Sequence, residues 1–174
     1  MEKEIQIKEL DKNIYQGYNV YHHYFTNTYY EIIRNPNGFT YQLTNGCLEK
    51  GFTLTLFEDW LEDPIAYGVF IKNEMVGFIE GSIESWHNLF RISNIYVNPK
   101  YRKQGLGSIL MLKMIEVAKR KQARAVILET QSCNYQAISF YQKNGFNIIA
   151  INTIEYSNND INNHEVRFDM ALYL

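Results

Sequence analysis

A chain of 174 residues is the size of one domain, and a single domain over residues 1–174 is expected. With 46% apolar and 15% aromatic residues it can fill a core, which excludes an intrinsically disordered chain and removes the need for a disulfide or metal staple. A net charge of −2 argues against a nucleic-acid partner, and the lack of any apolar run near ~18 residues argues against a membrane span.

Residues 1–11 alternate charges where a secretory leader is apolar, so a cytoplasmic protein is expected. Residues 14–33 are crowded with Tyr, Phe and His, and their weak periodicity is assigned as helical. Asn35-Pro36-Asn37-Gly38 signals a turn, and residues 44–46 a second one. Residues 52–61 form a short helix or extended stretch that ends before Pro64. Residues 65–71 and 76–85 read as a hairpin, and after Trp86, His87 and Asn88 a third antiparallel strand covers residues 90–97. Leu106, Leu110, Met114, Val117 and Ala118 then mark one face of a helix over residues 106–121.

Residues 125–130 form a short apolar strand, and the strand, helix, strand succession predicts a crossover to a parallel neighbour. Asn134 caps a helix with Ala137, Phe140 and Tyr141 on its apolar stripe, and Asn144-Gly145 stops it. Residues 146–156 and 165–172 close the chain as a hairpin around the polar loop 157–163. A mixed α/β sheet results.

Charge is split along the chain. Residues 1–90 carry a net −7 and residues 91–174 a net +5, which suits an anionic ligand on the C-terminal half and a cationic one on the N-terminal half. Cys47 and Cys133 lie far apart in sequence and read as free thiols. His22 and His23 are adjacent with no third ligand at metal spacing, so no metal is assigned. Tyr29, Tyr30, Trp60 and Trp86 supply aromatic faces that attract ammonium groups.

The densest signal lies between the third strand and the amphipathic helix, in Asn98-Pro99-Lys100-Tyr101-Arg102-Lys103-Gln104-Gly105-Leu106-Gly107-Ser108. Main-chain N–H groups at a helix start lack intrahelical partners, and glycines allow an anion to come close, so the loop fits a phosphate. It lacks the third glycine of a dinucleotide fingerprint and the Lys-Ser/Thr ending of a triphosphate loop.

Arg102, Gly105 and Gly107, following the strand Ile95-Tyr96-Val97, match the pyrophosphate signature of the GNAT superfamily of acetyl-CoA-dependent N-acyltransferases, which the sequence resembles. Asn134, Ala137, Phe140, Tyr141, Gly145 and Phe146 repeat a second pattern of that superfamily, and the match covers residues 65–172. Leu128-Glu129-Thr130-Gln131 with Asn134 and Phe140-Tyr141 looks most like the streptothricin acetyltransferase branch, while residues 164–172 also look like ribosomal-protein alanine acetyltransferases.

The resemblance implies a mostly antiparallel sheet flanked by helices with a central parallel strand pair. It implies acetyl transfer from acetyl-CoA to a primary amine of a cationic small molecule such as a streptothricin-like or aminoglycoside-like antibiotic. A peptide amine and a non-catalytic acyl-CoA-binding module are the alternatives, and a homodimer is the family's habit. On the donor side it assigns Lys103, Gln104, Gly105, Leu106, Gly107 and Ser108 with Arg102 to the pyrophosphate, and the backbone of Ile95, Tyr96 and Val97 to the pantetheine arm. Asn134 and Tyr141 join them, and a main-chain N–H near Ile95 or Tyr96 stabilises the oxyanion. Tyr141, with an ordinary pKa of about 10, is the general acid for the leaving thiolate. Glu80 and Glu84, which share a strand face with Ser82, are the carboxylates offered as base, with Glu129 a third. Asn94 stands where many family members carry an acid. The role of residues 1–60 is not assigned.

Overall fold

The computed structural model describes residues 4–174. In chain order its elements are β1 (Ile5–Glu9), α1 (Lys12–Tyr15), β2 (Asn19–Asn35), β3 (Gly38–Thr55), β4 (Ile65–Ile71), β5 (Glu74–Glu84), β6 (Leu89–Val97), α2 (Leu106–Arg120), β7 (Ala125–Gln131), α3 (Tyr135–Lys143), β8 (Asn147–Asn152) and β9 (Arg167–Tyr173). A 3-10 turn over Pro99–Tyr101 precedes α2. Contacts gather into two compact units, each discontinuous in sequence.

The first unit comprises the residues up to His22, Thr53–Ile127 and Tyr173–Leu174. In it β1, β4, β5 and β6 pair antiparallel in that order, and β6 pairs parallel with the start of β7. The fold is therefore the expected mixed α/β type, a mostly antiparallel sheet with one central parallel pair. The β4–β5 connection is tight because Lys72 and Asn73 both adopt positive φ, 51° and 66°, as a two-residue primed turn requires. Leu106, Leu110, Met114, Val117 and Ala118 of α2 are buried, the stripe read from the sequence, and the helix packs on β4, β5 and β6. Lys119 and Arg120 put positive charge on its last turn, where the helix dipole favours it. Beside it Leu10, Leu56, Phe57, Ala66 and Phe78 form a core cluster.

The second unit comprises His23–Phe52 and Leu128–Leu172. It contains most of the β2–β3 hairpin, α3, and the antiparallel β8–β9 pair beside the end of β7. Asn35-Pro36-Asn37-Gly38 makes the hairpin turn as expected. The helix expected over residues 14–33 is absent: α1 is one turn, and β2 runs 17 residues as a strand. Tyr24 and Thr26 are buried between exposed His23, Phe25 and Asn27, the two-residue alternation of a strand. That alternation changes phase before buried Tyr29, where Thr26 Oγ1 bonds the Thr28 backbone, and the break hides the period.

Residues 44–46 likewise make no turn and run through β3. A Cβ on Gly46 would stand 2.8 Å from Tyr29 Cε1, so this glycine admits an aromatic ring instead of reversing the chain. Residues 52–61 are extended to Thr55 and then enter turns. The closing hairpin is shorter than expected, since β8 stops at Asn152. Buried Asp160 organises the following loop, accepting from Tyr156 N–H at 2.9 Å and from Ser157 Oγ at 2.7 Å. β1 was not anticipated, and its residues 5–9 pair with β4. Residues 1–3 of the charge alternation read over residues 1–11 lie outside the described residues. No helix among the described residues is long and apolar enough to cross a membrane.

Candidate active site

Glu80 lies at the centre of the first unit with none of its surface exposed. Its carboxylate accepts from Phe57 N–H at 2.6 Å, Asn94 Nδ2 at 2.7 Å and Ser93 Oγ at 3.1 Å. Burial pushes this carboxyl above its ordinary value of 4.5, against the lowering effect of those three donors. Asn94 also donates to the Thr55 carbonyl at 2.9 Å, so one pair of side chains ties β5 and β6 to the segment leaving β3. Phe57, with φ 57°, is a strained non-glycine residue held by that carboxylate.

The same place carries a break in register. Glu80 pairs with Asn94, but Gly81 pairs with Ile92, which leaves Ser93 as the extra residue of a bulge in β6. The bulge brings Ser93 and Asn94 together onto Glu80. Glu84, two turns of the pleat away, is already neutralised: it binds Arg91 Nε through Oε1 and His87 Nε2 at 3.0 Å through Oε2. The strand face shared by Glu80, Ser82 and Glu84 is thus an interior one at its first two members, with Ser82 only 3% exposed.

Beyond the bulge β6 keeps a free edge. Among the described residues its strand pairing with β7 covers Leu89, Phe90 and Arg91, and from Ile92 to Val97 its strand partner is β5. Alternate N–H and C=O groups of Ile95, Tyr96 and Val97 therefore face outward, as an added strand requires. At the end of β6, Asn98 N–H bonds the Val76 carbonyl at 2.8 Å, and Asn98 Oδ1 caps the 3-10 turn through Lys100 N–H at 3.1 Å. Arg102 Nε donates to the Val97 carbonyl at 2.9 Å, folding the loop back on the strand.

Lys103 and Gly105 then take positive φ, 61° and 82°, and Gly105 becomes the N-cap of α2 with no side chain capping the helix. A Cβ at Gly105 would meet nothing within 4 Å, so the glycine serves backbone conformation and leaves open space at the helix start. The first bond of α2 runs from Ile109 N–H to the Gly105 carbonyl at 3.1 Å. The N–H groups of Leu106, Gly107 and Ser108 consequently have no intrahelical acceptor and carry the positive end of the dipole. Lys103 and Gln104 are exposed beside them. This arrangement fits a diphosphate chemically.

In the second unit Asn134 caps α3 as expected, accepting from Ala137 N–H at 3.1 Å. Tyr141 is 8% exposed, packed against Phe140 and Phe146 at 5.5 and 6.2 Å between ring centroids. Burial raises its hydroxyl above the ordinary phenol value, so it stays protonated at neutral pH. Glu129 is ion-paired with Arg167 at 2.8 Å, and Arg167 also holds Glu155 and Asp169. Cys47 and Cys133 are free thiols, and buried Cys133 contacts Tyr24 Oη at 3.3 Å. Tyr29 is buried and Tyr30 part-buried in the second unit, whereas Trp60 and Trp86 are 65% and 83% exposed in the first. Sequence reasoning missed Ser93 and Phe57, and weighed His22, whose Nδ1 lies 3.3 Å from an Arg102 nitrogen, only as a metal ligand.

Comparison with known proteins places this geometry. The chain is 37% identical over 97 residues to streptothricin acetyltransferase A of Bacillus subtilis strain 168, an alignment covering 56% of each chain. It thus spans just over half the length of that curated relative. The crystal structure of nourseothricin acetyltransferase superposes with a TM-score of 0.77 at 20% identity, covering 97% of this chain and 98% of the other. A streptothricin acetyltransferase candidate from Bacillus anthracis str. Ames, solved with acetyl coenzyme A, gives 0.77 at 23%, covering 99% and 98%. At those identities the two structures speak for the fold. The acetyltransferase (GNAT) family model matches residues 18–146, beginning well before the segment in which the sequence motifs were found. With a family match over most of its length and the bulged, half-free β6 leading into an uncapped α2, the chain belongs to the acetyltransferase (GNAT) family.

Proposed function

We propose that residues 1–174 act as one acetyl-CoA-dependent N-acetyltransferase whose acceptor is a primary amine on a cationic small molecule of the streptothricin type. The observation that carries this reading is the run from the free edge of Ile92–Val97 into the bare N–H groups after Gly105. It matches a ligand with an amide-containing arm and a diphosphate. The streptothricin relative supports the acceptor class. A cytoplasmic homodimer belongs to the same proposal, and light scattering of the purified chain measures the dimer.

When bound, acetyl-CoA supplies an acetyl thioester open to attack by an amine nitrogen. Lys103, Gln104, Gly105, Leu106, Gly107 and Ser108 hold the diphosphate, with Arg102 fixing their loop, and Ile95, Tyr96 and Val97 hold the arm. A main-chain N–H of Ile95 or Tyr96 donates to the thioester oxygen. Tyr141 donates its proton to the leaving sulfur, and Asn134 keeps the start of its helix in place. Glu80 takes up the amine's proton through the Ser93 hydroxyl. It is favoured over Glu84 and Glu129 because burial makes it more basic, whereas those two are held in ion pairs.

A panel of amines tests the assignment by thiol release from acetyl-CoA. Streptothricin is expected to be turned over, and a peptide with an N-terminal alanine is not. Turnover of the peptide alone contradicts the acceptor class. Coenzyme A binding without acetylation of any amine turns the chain into a non-catalytic acyl-CoA-binding module.

A further inference from the structure

We infer that His22 is a positioning residue for the donor site, acting through Arg102. This rests on the reading of residues 102–108 as the diphosphate loop. A guanidinium has only N–H donors, so the 3.3 Å contact between its Nη2 and His22 Nδ1 makes Nδ1 the acceptor and places the imidazole proton on Nε2. Tyr96 meets the His22 ring edge-to-face, with centroids 6.1 Å apart and planes at 83°, and fixes the ring's orientation from β6. The other side of the same guanidinium donates from Nε to the Val97 carbonyl at 2.9 Å.

Arg102 is thus stretched between the last residue of β6 and the early part of β2. Burial lowers its pKa from the ordinary arginine value, the mark of a cation partly removed from water and dependent on its acceptors. The residue immediately following it enters the positive-φ stretch that leads to Gly105. Holding the guanidinium therefore holds the geometry of the N–H groups beyond it. Neither the helix N-terminus nor the family signature calls for a histidine 80 residues upstream, and β2 brings it there.

The test is calorimetric titration with coenzyme A on the full chain. His22→Leu, which removes the acceptor, is expected to weaken binding roughly tenfold, the size of a hydrogen bond to a charged group. His22→Asn keeps an acceptor at the same branch point and is expected to recover most of that loss. In an Arg102→Gln background His22→Leu is expected to add less than about twofold, because residues acting through one contact are not additive. Without ligand, the Arg102 Nε–H resonance should exchange faster in His22→Leu than in wild type. Additive losses, failure of Asn to rescue, or an unchanged Nε–H exchange rate each overturn the role. Wild-type chain that takes up no coenzyme A overturns the donor-loop reading, and this role with it. Wild-type binding with no effect of His22 overturns this role alone.

Discussion

Replacing Tyr141 with Phe is expected to lower kcat by about 10²- to 10⁴-fold, the usual contribution of a positioned proton donor, while acetyl-CoA affinity stays within a few-fold. The substitution is close to isosteric. The ring contacts with Phe140 and Phe146 are made by carbon faces and survive it, so packing at this 8% exposed position is conserved. What disappears is one hydroxyl whose proton burial holds firmly, a poor ionising group and a persistent donor. Single-turnover measurement separates the two parameters. A kcat near wild type removes Tyr141 from the chemistry and leaves it a core aromatic.

Glu80→Gln is expected to be costly in both stability and rate. An amide retains one oxygen for Phe57 N–H, but its nitrogen then confronts Asn94 Nδ2, a donor 2.7 Å from the present carboxylate. Two buried donors facing each other cost about 2 kcal/mol, which for a chain of this size lowers Tm by about 4–8 °C. The exchange also removes the one acidic candidate whose basicity is raised, so kcat measured well below Tm is expected to fall at least about 10²-fold. A fall in Tm with kcat retained assigns Glu80 to holding the bulge and excludes it as the base.

These two residues mark how far the sequence could be read. From β4 to α3 the text was explicit, because each boundary carries its own chemistry. Lys72 and Asn73 make the hairpin turn, Pro99 follows the end of β6, and Asn134 caps α3. The loop proposed to hold the donor stands out for the same reason, its glycines and cations lying within six residues at the entrance to α2. The hairpin of β2 and β3 was not, since Tyr, Phe and His occur on both its faces and the alternation slips around Thr26 and Thr28. β1 carries only a brief alternation, Ile5 and Ile7 about Gln6, within a run of charged residues, and its pairing with β4 depends on a strand 60 residues away.

The network around Glu80 was not legible for a different reason. Alternation places Glu80 and Ser82 on one face but says nothing of whether that face is solvated. The deciding feature, an extra residue at Ser93, depends on pairing with another strand. Likewise the His22–Arg102 contact joins positions with no local relation, and only the path of β2 reveals it. Residues 1–60, to which the sequence assigned no role, supply β1, the hairpin, the Thr55 and Phe57 anchors of the Glu80 network, and His22.

The central claim is that this chain moves one acetyl group from coenzyme A to an amine of a streptothricin-type molecule. Mass spectrometry of streptothricin incubated with the purified chain and acetyl-CoA tests it most directly. The account predicts a single added acetyl group that appears only when both chain and donor are present. Unmodified streptothricin, recovered from a chain that calorimetry shows to be saturated with donor, would contradict it.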